Sequence, residues 1–313
     1  MPEEGNTLTL PQDLPSSKAS GAGGGWKDFV AGSLAGAAQV AVGHPLDTVK
    51  VRMQIEGSNV FKGPMDCLAK TIRNESVFGL YKGMSSPLVG IAAVNSLLFW
   101  AYSYVKTFQT GSLTITPSLG QIAVAGAAAG AINSVLASPV ELLKVRLQVQ
   151  YNSAINGGAL FKGPLSMAQH LVQQFGTRGI MWGFWTTVVR EIPANAAFYT
   201  GFEFAKRRLA NLLTDGDTRK LGIAPLMLSG SAGGVSYWTA CYPLDVIKSR
   251  VQNGKTPPRG AGYILTAAHE IFAEQGIRGF FRGYSTSVIR TIPAAAATFS
   301  TYELVMRALD GST

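Results

Sequence analysis

The stretch Pro45-Leu46-Asp47-Thr48-Val49-Lys50-Val51-Arg52-Met53-Gln54 comes back twice, as Pro139-Val140-Glu141-Leu142-Leu143-Lys144-Val145-Arg146-Leu147-Gln148 and as Pro243-Leu244-Asp245-Val246-Ile247-Lys248-Ser249-Arg250-Val251-Gln252. All three copies read Pro-x-acid-x-x-Lys-x-Arg-x-Gln. They stand 94 and 104 residues apart, so the chain is built from units of roughly one hundred residues, a longer period than most solenoid repeats. The spacing divides the sequence into a tail, residues 1–25, and three units, 26–110, 111–220 and 221–313, that together make one domain.

Composition says what surrounds these units. Charged residues are 14% of the chain, against about one quarter in an ordinary soluble protein, so something other than water covers much of its surface. Hydrophobic residues reach 47% and glycines number 36, a combination expected where helices pack closely in lipid. The mean hydropathy of +0.18 is modest and fits helices with one lipid face and one polar, cavity-lining face. A net charge of +9 suits nucleic acid, anionic lipid or an anionic substrate. No compact basic cluster with interleaved aromatics appears, which argues against nucleic acid. Cys67 and Cys241 show no metal-ligand spacing and no disulfide framework, so no metal site is expected.

In chain order, residues 1–25 are Gly, Ser, Pro and polar residues that cannot bury enough surface to fold alone. Glu3, Glu4 and Asp13 argue against an Arg-rich, acid-poor presequence. From Trp26 to about Gln54 the chain is mostly apolar and nearly long enough to cross a hydrocarbon core, which takes about 20 residues. Gly32 and Gly36, matched by Gly126 and Gly130 and by Gly230 and Gly234, allow other helices to approach closely. After each motif come a polar stretch, a short helix and a second hydrophobic helix. In this half the register is 100 residues on both steps, as in Phe61-Lys62-Gly63-Pro64 and Phe161-Lys162-Gly163-Pro164. The second helices are expected from near Ser85, Trp185 and Ser285 to about Phe108, Arg208 and Leu309. The fold class is therefore an all-α membrane protein with six transmembrane helices in three repeats, each repeat carrying a short amphipathic helix on one side.

Proline inside a helix removes a hydrogen bond and bends it, so Pro45, Pro139 and Pro243 turn the first helix of each unit toward a common axis. Within each motif the acid and lysine share a face, and a single copy would be read as a local ion pair. Three copies permit a ring instead, Asp47 with Lys144, Glu141 with Lys248, and Asp245 with Lys50. Such a ring can act as a gate, because charges in membrane segments are costly unless paired and tend to mark pathways.

The motif triplet, the six helices and the hundred-residue units resemble the mitochondrial carrier family over about residues 26–310. The resemblance implies a six-helix bundle with threefold pseudosymmetry around a central site, a multi-pass location in the inner mitochondrial membrane, and antiport by alternating access. It makes the acid–lysine ring the matrix gate, with Gln54, Gln148 and Gln252 as braces beneath it. It also implies a cytoplasmic gate at the ends of the even-numbered helices. Phe202-Glu203 with Lys206 fits that pattern, Tyr102 is followed by Ser103 before Lys106, and Tyr302-Glu303 is followed by Met306. One acid and one base are missing, so the cytoplasmic gate is expected to be the weaker. The working unit is expected to be the monomer.

The hundred-residue register isolates what is not symmetric: Gly90, Arg190 and Arg290; Ile91, Glu191 and Thr291; Val94, Ala194 and Ala294; Asn95, Asn195 and Ala295. Charges near the middle of apolar helices cost a few kcal/mol, of order 3, unless satisfied, so Arg190, Glu191 and Arg290 either bind a ligand or form an internal salt bridge. In the family these match the second and third substrate contact points, and Gly90 to Asn95 the first. Two arginines hold a carboxylate and one glutamate holds an amine, which favours a small zwitterionic substrate.

Gly43 to Arg52 resembles the carnitine/acylcarnitine carrier branch, and an uncharged first contact region would suit an acyl chain. Glu141, Arg190-Glu191-Ile192-Pro193 and Arg290-Thr291-Ile292-Pro293 resemble carriers of ornithine and other basic amino acids. Those carriers have an acid where Val94 stands. Ala297 to Arg307 resembles carriers linked to small amino acids such as glycine. His44 is read as proton-coupling or structural. No cofactor is expected. Cardiolipin is the expected bound lipid, its phosphates at Lys82-Gly83, at Arg282-Gly283 and at the Lys-Gly of the Phe-Lys-Gly-Pro segments, with Trp182-Gly183 breaking the pattern in unit two. An enzyme would need a nucleophile–base or metal-ligand constellation, and three scattered histidines do not supply one.

Overall fold

A computed structural model of the chain describes residues 25–56, 60–111, 116–149, 161, 163–254, 256–258 and 262–310. The expected tail, up to residue 24, lies outside the described residues. Among them six helices are long: α1 (Gly25–Glu56), α3 (Ser85–Thr110), α4 (Leu119–Gln148), α6 (Phe184–Leu213), α7 (Ile223–Gln252) and α9 (Tyr284–Asp310). A shorter helix follows the first long helix of each unit: α2 (Pro64–Glu75), α5 (Pro164–Phe175) and α8 (Tyr263–Gly279). Each motif proline lies inside its helix, and α1, α4 and α7 continue past it. The even-numbered helix of unit two runs to Leu213 rather than Arg208, because Leu209-Ala210-Asn211-Leu212-Leu213 holds no breaker.

The long helices contact one another in the cyclic order α1, α3, α4, α6, α7, α9 and back to α1, which closes a ring. Each short helix packs under its own unit through the same positions. Cys67 and Thr71 are buried in α2, Met167 and Leu171 in α5, and Ala267 and Ile271 in α8. Each unit thus has its own small core at the motif end; Val49, Met53, Phe61, Cys67 and Leu80 form the first. Outward faces of the long helices leave apolar residues exposed, among them Val89, Val124, Leu136, Phe204, Leu228, Ile289 and Leu304. Judged by length and hydropathy alone, one described helix, α4, is apolar enough to cross a membrane. Polar inward faces lower the average of the others.

The hundred-residue register appears directly in the backbone. Gly83, Gly183 and Gly283 have φ of 81°, 77° and 85°, the left-handed region where a Cβ is strained. Each also lies against the motif helix of the following unit. A Cβ on Gly83 would sit 3.0 Å from the Lys144 carbonyl, and one on Gly283 would sit 3.5 Å from the Lys50 carbonyl. A second set behaves alike, with Gly176 at φ 64° and Gly276 at 62°, but unit one has Ser76 at φ 65°.

Candidate functional site

The motif acids and lysines of neighbouring units come together at one end of the ring. Lys144 Nζ is 2.5 Å from Asp47 Oδ2, Lys50 Nζ is 2.6 Å from Asp245 Oδ2, and Lys248 pairs with Glu141. Apart from Glu141 and Lys144, these side chains are almost fully buried. The pairs are unequally built. Lys50 also lies 3.9 Å from the centre of the Trp238 ring, a cation–π contact on one seam.

Beneath the ring the glutamines differ. Gln54 donates to Asp245 Oδ2 at 2.9 Å and accepts from Ser249 Oγ at 2.9 Å, so it braces a pair directly. Gln148 donates instead to Thr48 Oγ1 at 3.1 Å. Both polar atoms of Gln252 are buried without a partner among the described residues. The cause lies just before each proline. Gln54 meets the long Tyr242 at 3.3 Å, whereas the matching residue of unit two is the short Ser138, itself unpartnered.

The asymmetric charges of α6 and α9 reach down to this ring. Arg190 Nη2 lies 2.7 Å from Glu141 Oε1, Arg190 Nη1 lies 3.4 Å from Asp245 Oδ1, and Arg190 also contacts Glu191. Asn195 Nδ2 holds the other Glu191 oxygen at 2.6 Å. Arg290 goes elsewhere: its Nε lies 2.8 Å from Asp47 Oδ1 as an ion pair without hydrogen-bond alignment. The salt bridge weighed for Glu191 is thus formed with Arg190, while Arg290 is drawn to the ring. It can lie there because Gly43 has no side chain; a Cβ on Gly43 would sit 2.5 Å from Arg290 Nε. Close packing also sets Glu191, since a Cβ on Gly130 would meet the Asn195 Nδ2 at 2.7 Å.

Two charge groups result. Lys50, Asp245, Arg190, Glu141, Lys248 and Glu191 balance, three cations with three anions, whereas Lys144 and Arg290 share the single acid Asp47. The floor therefore carries one uncompensated positive charge, centred on Arg290 and Lys144. Every motif acid binds one lysine of the next unit and one arginine from the second long helix of a unit.

The chain belongs to the mitochondrial carrier protein family. The model of that family, described as "Mitochondrial carrier protein", matches residues 22–113, 116–212 and 219–313, which is nearly the whole chain in three repeats. The chain is 41% identical to "Mitochondrial substrate carrier family protein S" of Dictyostelium discoideum, over 91% of its own length and 98% of that protein's. It is 35% identical to "Mitochondrial carnitine/acylcarnitine carrier-like protein" of Arabidopsis thaliana, with the same coverage. It is 37% identical to "Mitochondrial basic amino acids transporter" of Bos taurus, over 89% and 91%. It is a mitochondrial carrier, a member of a family of transporters rather than enzymes.

Other expected residues of this carrier fall as follows. Gly90 packs against Val140, where a Cβ would be 2.7 Å from Cγ2, so it serves the contact of α3 with α4. Val94 and Asn95 are half-buried on α3. At the far end Glu203 pairs with Lys206 and Arg207 at 2.8 and 2.7 Å, and Glu303 with Arg307 at 2.8 Å, all within their own helices. Arg207 and Arg307, one residue beyond the expected base positions, escaped the sequence pattern. Lys106 is half-buried on α3. His44 is buried, with Nε2 3.0 Å from the Lys82 carbonyl. Lys82 pairs with Glu75, and Arg282 donates to the Phe61 carbonyl, so both bases are engaged within the protein. A cleft of about 1350 Å³ lies apart from the charge cluster, between units two and three, lined by Phe175, Arg178, Trp182, Trp185 and Tyr263. Two contributors were missed in the sequence: Gly43 and Tyr237, whose hydroxyl lies 2.8 Å from Arg190 Nη1.

Proposed function

We propose that this carrier is a multi-pass antiporter of the inner mitochondrial membrane that exchanges a small zwitterion, carnitine and its acyl esters first. In this reading α1, α3, α4, α6, α7 and α9 span the bilayer, their exposed apolar faces meeting lipid, and α2, α5 and α8 lie on the matrix side. The three repeats follow the units 26–110, 111–220 and 221–313. The acid–lysine ring closes the matrix side, and the substrate enters from the other end.

One observation carries the substrate class: Arg190 and Glu191 are neighbours in contact, and Arg290 is the surplus cation on the same ring of acids, at Asp47. A carboxylate drawn to Arg290 and Arg190 is held by two guanidinium groups, and the Glu191 released from Arg190 accepts the substrate's cation. Binding then does mechanical work. The same two arginines contact all three ring acids, so a carboxylate that withdraws them changes the charge balance at every pair of the matrix gate at once. The surplus positive charge disfavours a substrate with a second cation, and α3 offers no acid near Val94 for one. That weighs toward carnitine over dibasic amino acids.

A second reading, an amino-acid carrier for ornithine, arginine, glycine or glutamate, is favoured by the 37% identity to a protein named as a basic amino acids transporter. Reconstituted exchange separates the two. Liposomes loaded with carnitine, ornithine, arginine, glycine or glutamate are assayed for uptake of each labelled compound. Carnitine/carnitine exchange is expected, with Arg290→Ala abolishing it in a protein that still melts cooperatively. Exchange of none of these compounds, or uptake retained in Arg290→Ala, overturns the zwitterion site.

A further inference from the structure

The 94- and 104-residue register that aligns the three motifs also aligns Gln39, Asn133 and Tyr237, two turns before the ring acids. All three are polar and no two are the same, the pattern expected of positions that read a ligand. Tyr237 is the one with contacts to both central charges. Its hydroxyl accepts from Arg190 Nη1 at 2.8 Å and donates to Glu191 Oε1 at 3.4 Å. A phenol has one proton and free lone pairs, so it can do both at once. Its ring centre lies 5.8 Å from the Arg190 guanidinium carbon, within reach of a cation–π interaction.

We propose that Tyr237 is a specificity-determining residue that reads the cationic head of the substrate. The inference rests on the reading of Arg190 and Glu191 as the substrate site. When the substrate carboxylate draws Arg190 away, Glu191 Oε2 stays on Asn195 and Oε1 stays on Tyr237. The hydroxyl is thus the fixed ligand that keeps the freed carboxylate aimed at the arriving cation. The aromatic face that Arg190 leaves becomes available to the same head group, which suits a quaternary ammonium lacking N–H donors. Tyr237 would therefore separate zwitterions from carboxylates of the same shape that lack the positive charge.

The test compares carnitine with its carbon isostere, an anion in which a quaternary carbon replaces the charged nitrogen, as competitors of labelled carnitine uptake into proteoliposomes. Wild type is expected to prefer carnitine strongly. Tyr237→Phe, which keeps the ring, is expected to raise the KM for carnitine roughly tenfold, with little change in binding of the isostere or in kcat. Tyr237→Leu should erase the preference, and Glu191→Gln should do likewise. A merely structural role would weaken both compounds together. If Glu191→Gln loses the preference and both Tyr237 variants keep it, the proposal for Tyr237 is wrong and the site stands. If wild type fails to discriminate, or Glu191→Gln still does, the site reading falls and takes Tyr237 with it.

Discussion

Ser76 occupies a backbone conformation that its two counterparts give to glycine. Its φ of 65° with ψ of −179° lies in a region that is essentially glycine-only, close to Gly176 at 64° and −157° and Gly276 at 62° and −160°. An L-residue held there costs about 1–3 kcal/mol. Replacing it with glycine returns that strain but adds back about 0.5–1 kcal/mol of unfolded-chain entropy. The side chain is exposed and its backbone already bonds the Ile72 carbonyl, so no contact offsets the gain. Ser76→Gly is therefore expected to stabilise by about 1 kcal/mol, or roughly 2 °C in Tm for a chain of this size. Thermal unfolding in mild detergent reads it, with Gly176→Ser and Gly276→Ser expected to fall by a similar amount. A Tm that is unchanged or lower in Ser76→Gly would refute both the strain and the hundred-residue equivalence of the three turns.

Two further outcomes follow from charges at the motif end. Burial raises the Glu75 carboxyl, but hydrogen bonds and charge from Arg52 and Lys82 outweigh it and hold its pKa below the usual range. Its stabilisation is complete above the unfolded value of about 4.3 and is lost as pH falls through the lower folded pKa. Glu75→Gln is expected to remove that acid-dependent step and, by taking the carboxylate away from the fully buried Arg52, to cost about 3 kcal/mol at neutral pH, seen in a Tm series from pH 7 to pH 3. An unchanged Tm and pH profile would rule this out. Gly43→Ala should push Arg290 off Asp47 without unfolding, because only the flexible end of the arginine must yield. With Asp47 no longer competing for Arg290, substrate KM is expected to fall about fivefold and Tm to drop by roughly 2 °C, the worth of about 1 kcal/mol. A KM that stays level or rises would contradict the competition.

Three copies of one motif suffice to suggest the acid–lysine pairs, since each unit carries one acid and one lysine at the same motif positions. The unequal parts were harder to read. Arg290 reaches Asp47 through a gap left by Gly43, and the signal for it was the small residue two before each proline, Gly43, Ala137 and Cys241. The glutamines look identical in sequence, yet the residues above them, Tyr242, His44 and Ser138, decide which can brace. Tyr237 needed the odd-helix register to be carried beyond the motif itself. In each case symmetry marks the shared frame, and the departures depend on side-chain length, which spacing does not report.

The ring of helices is closed at one seam by no peptide link. There α1 packs on α9, and Lys27 Nζ donates to the Leu309 carbonyl at 2.9 Å across 282 residues. A chain emerging from its N-terminal end makes α1 first and α9 last. The buried face of α1, with Ala31 and Ala35, waits for Tyr302 through almost the whole of synthesis. Closure of that seam is thus an event in time, late and cooperative, and truncation before α9 leaves the first helix without its neighbour. The opening helix of this carrier is completed by its final one.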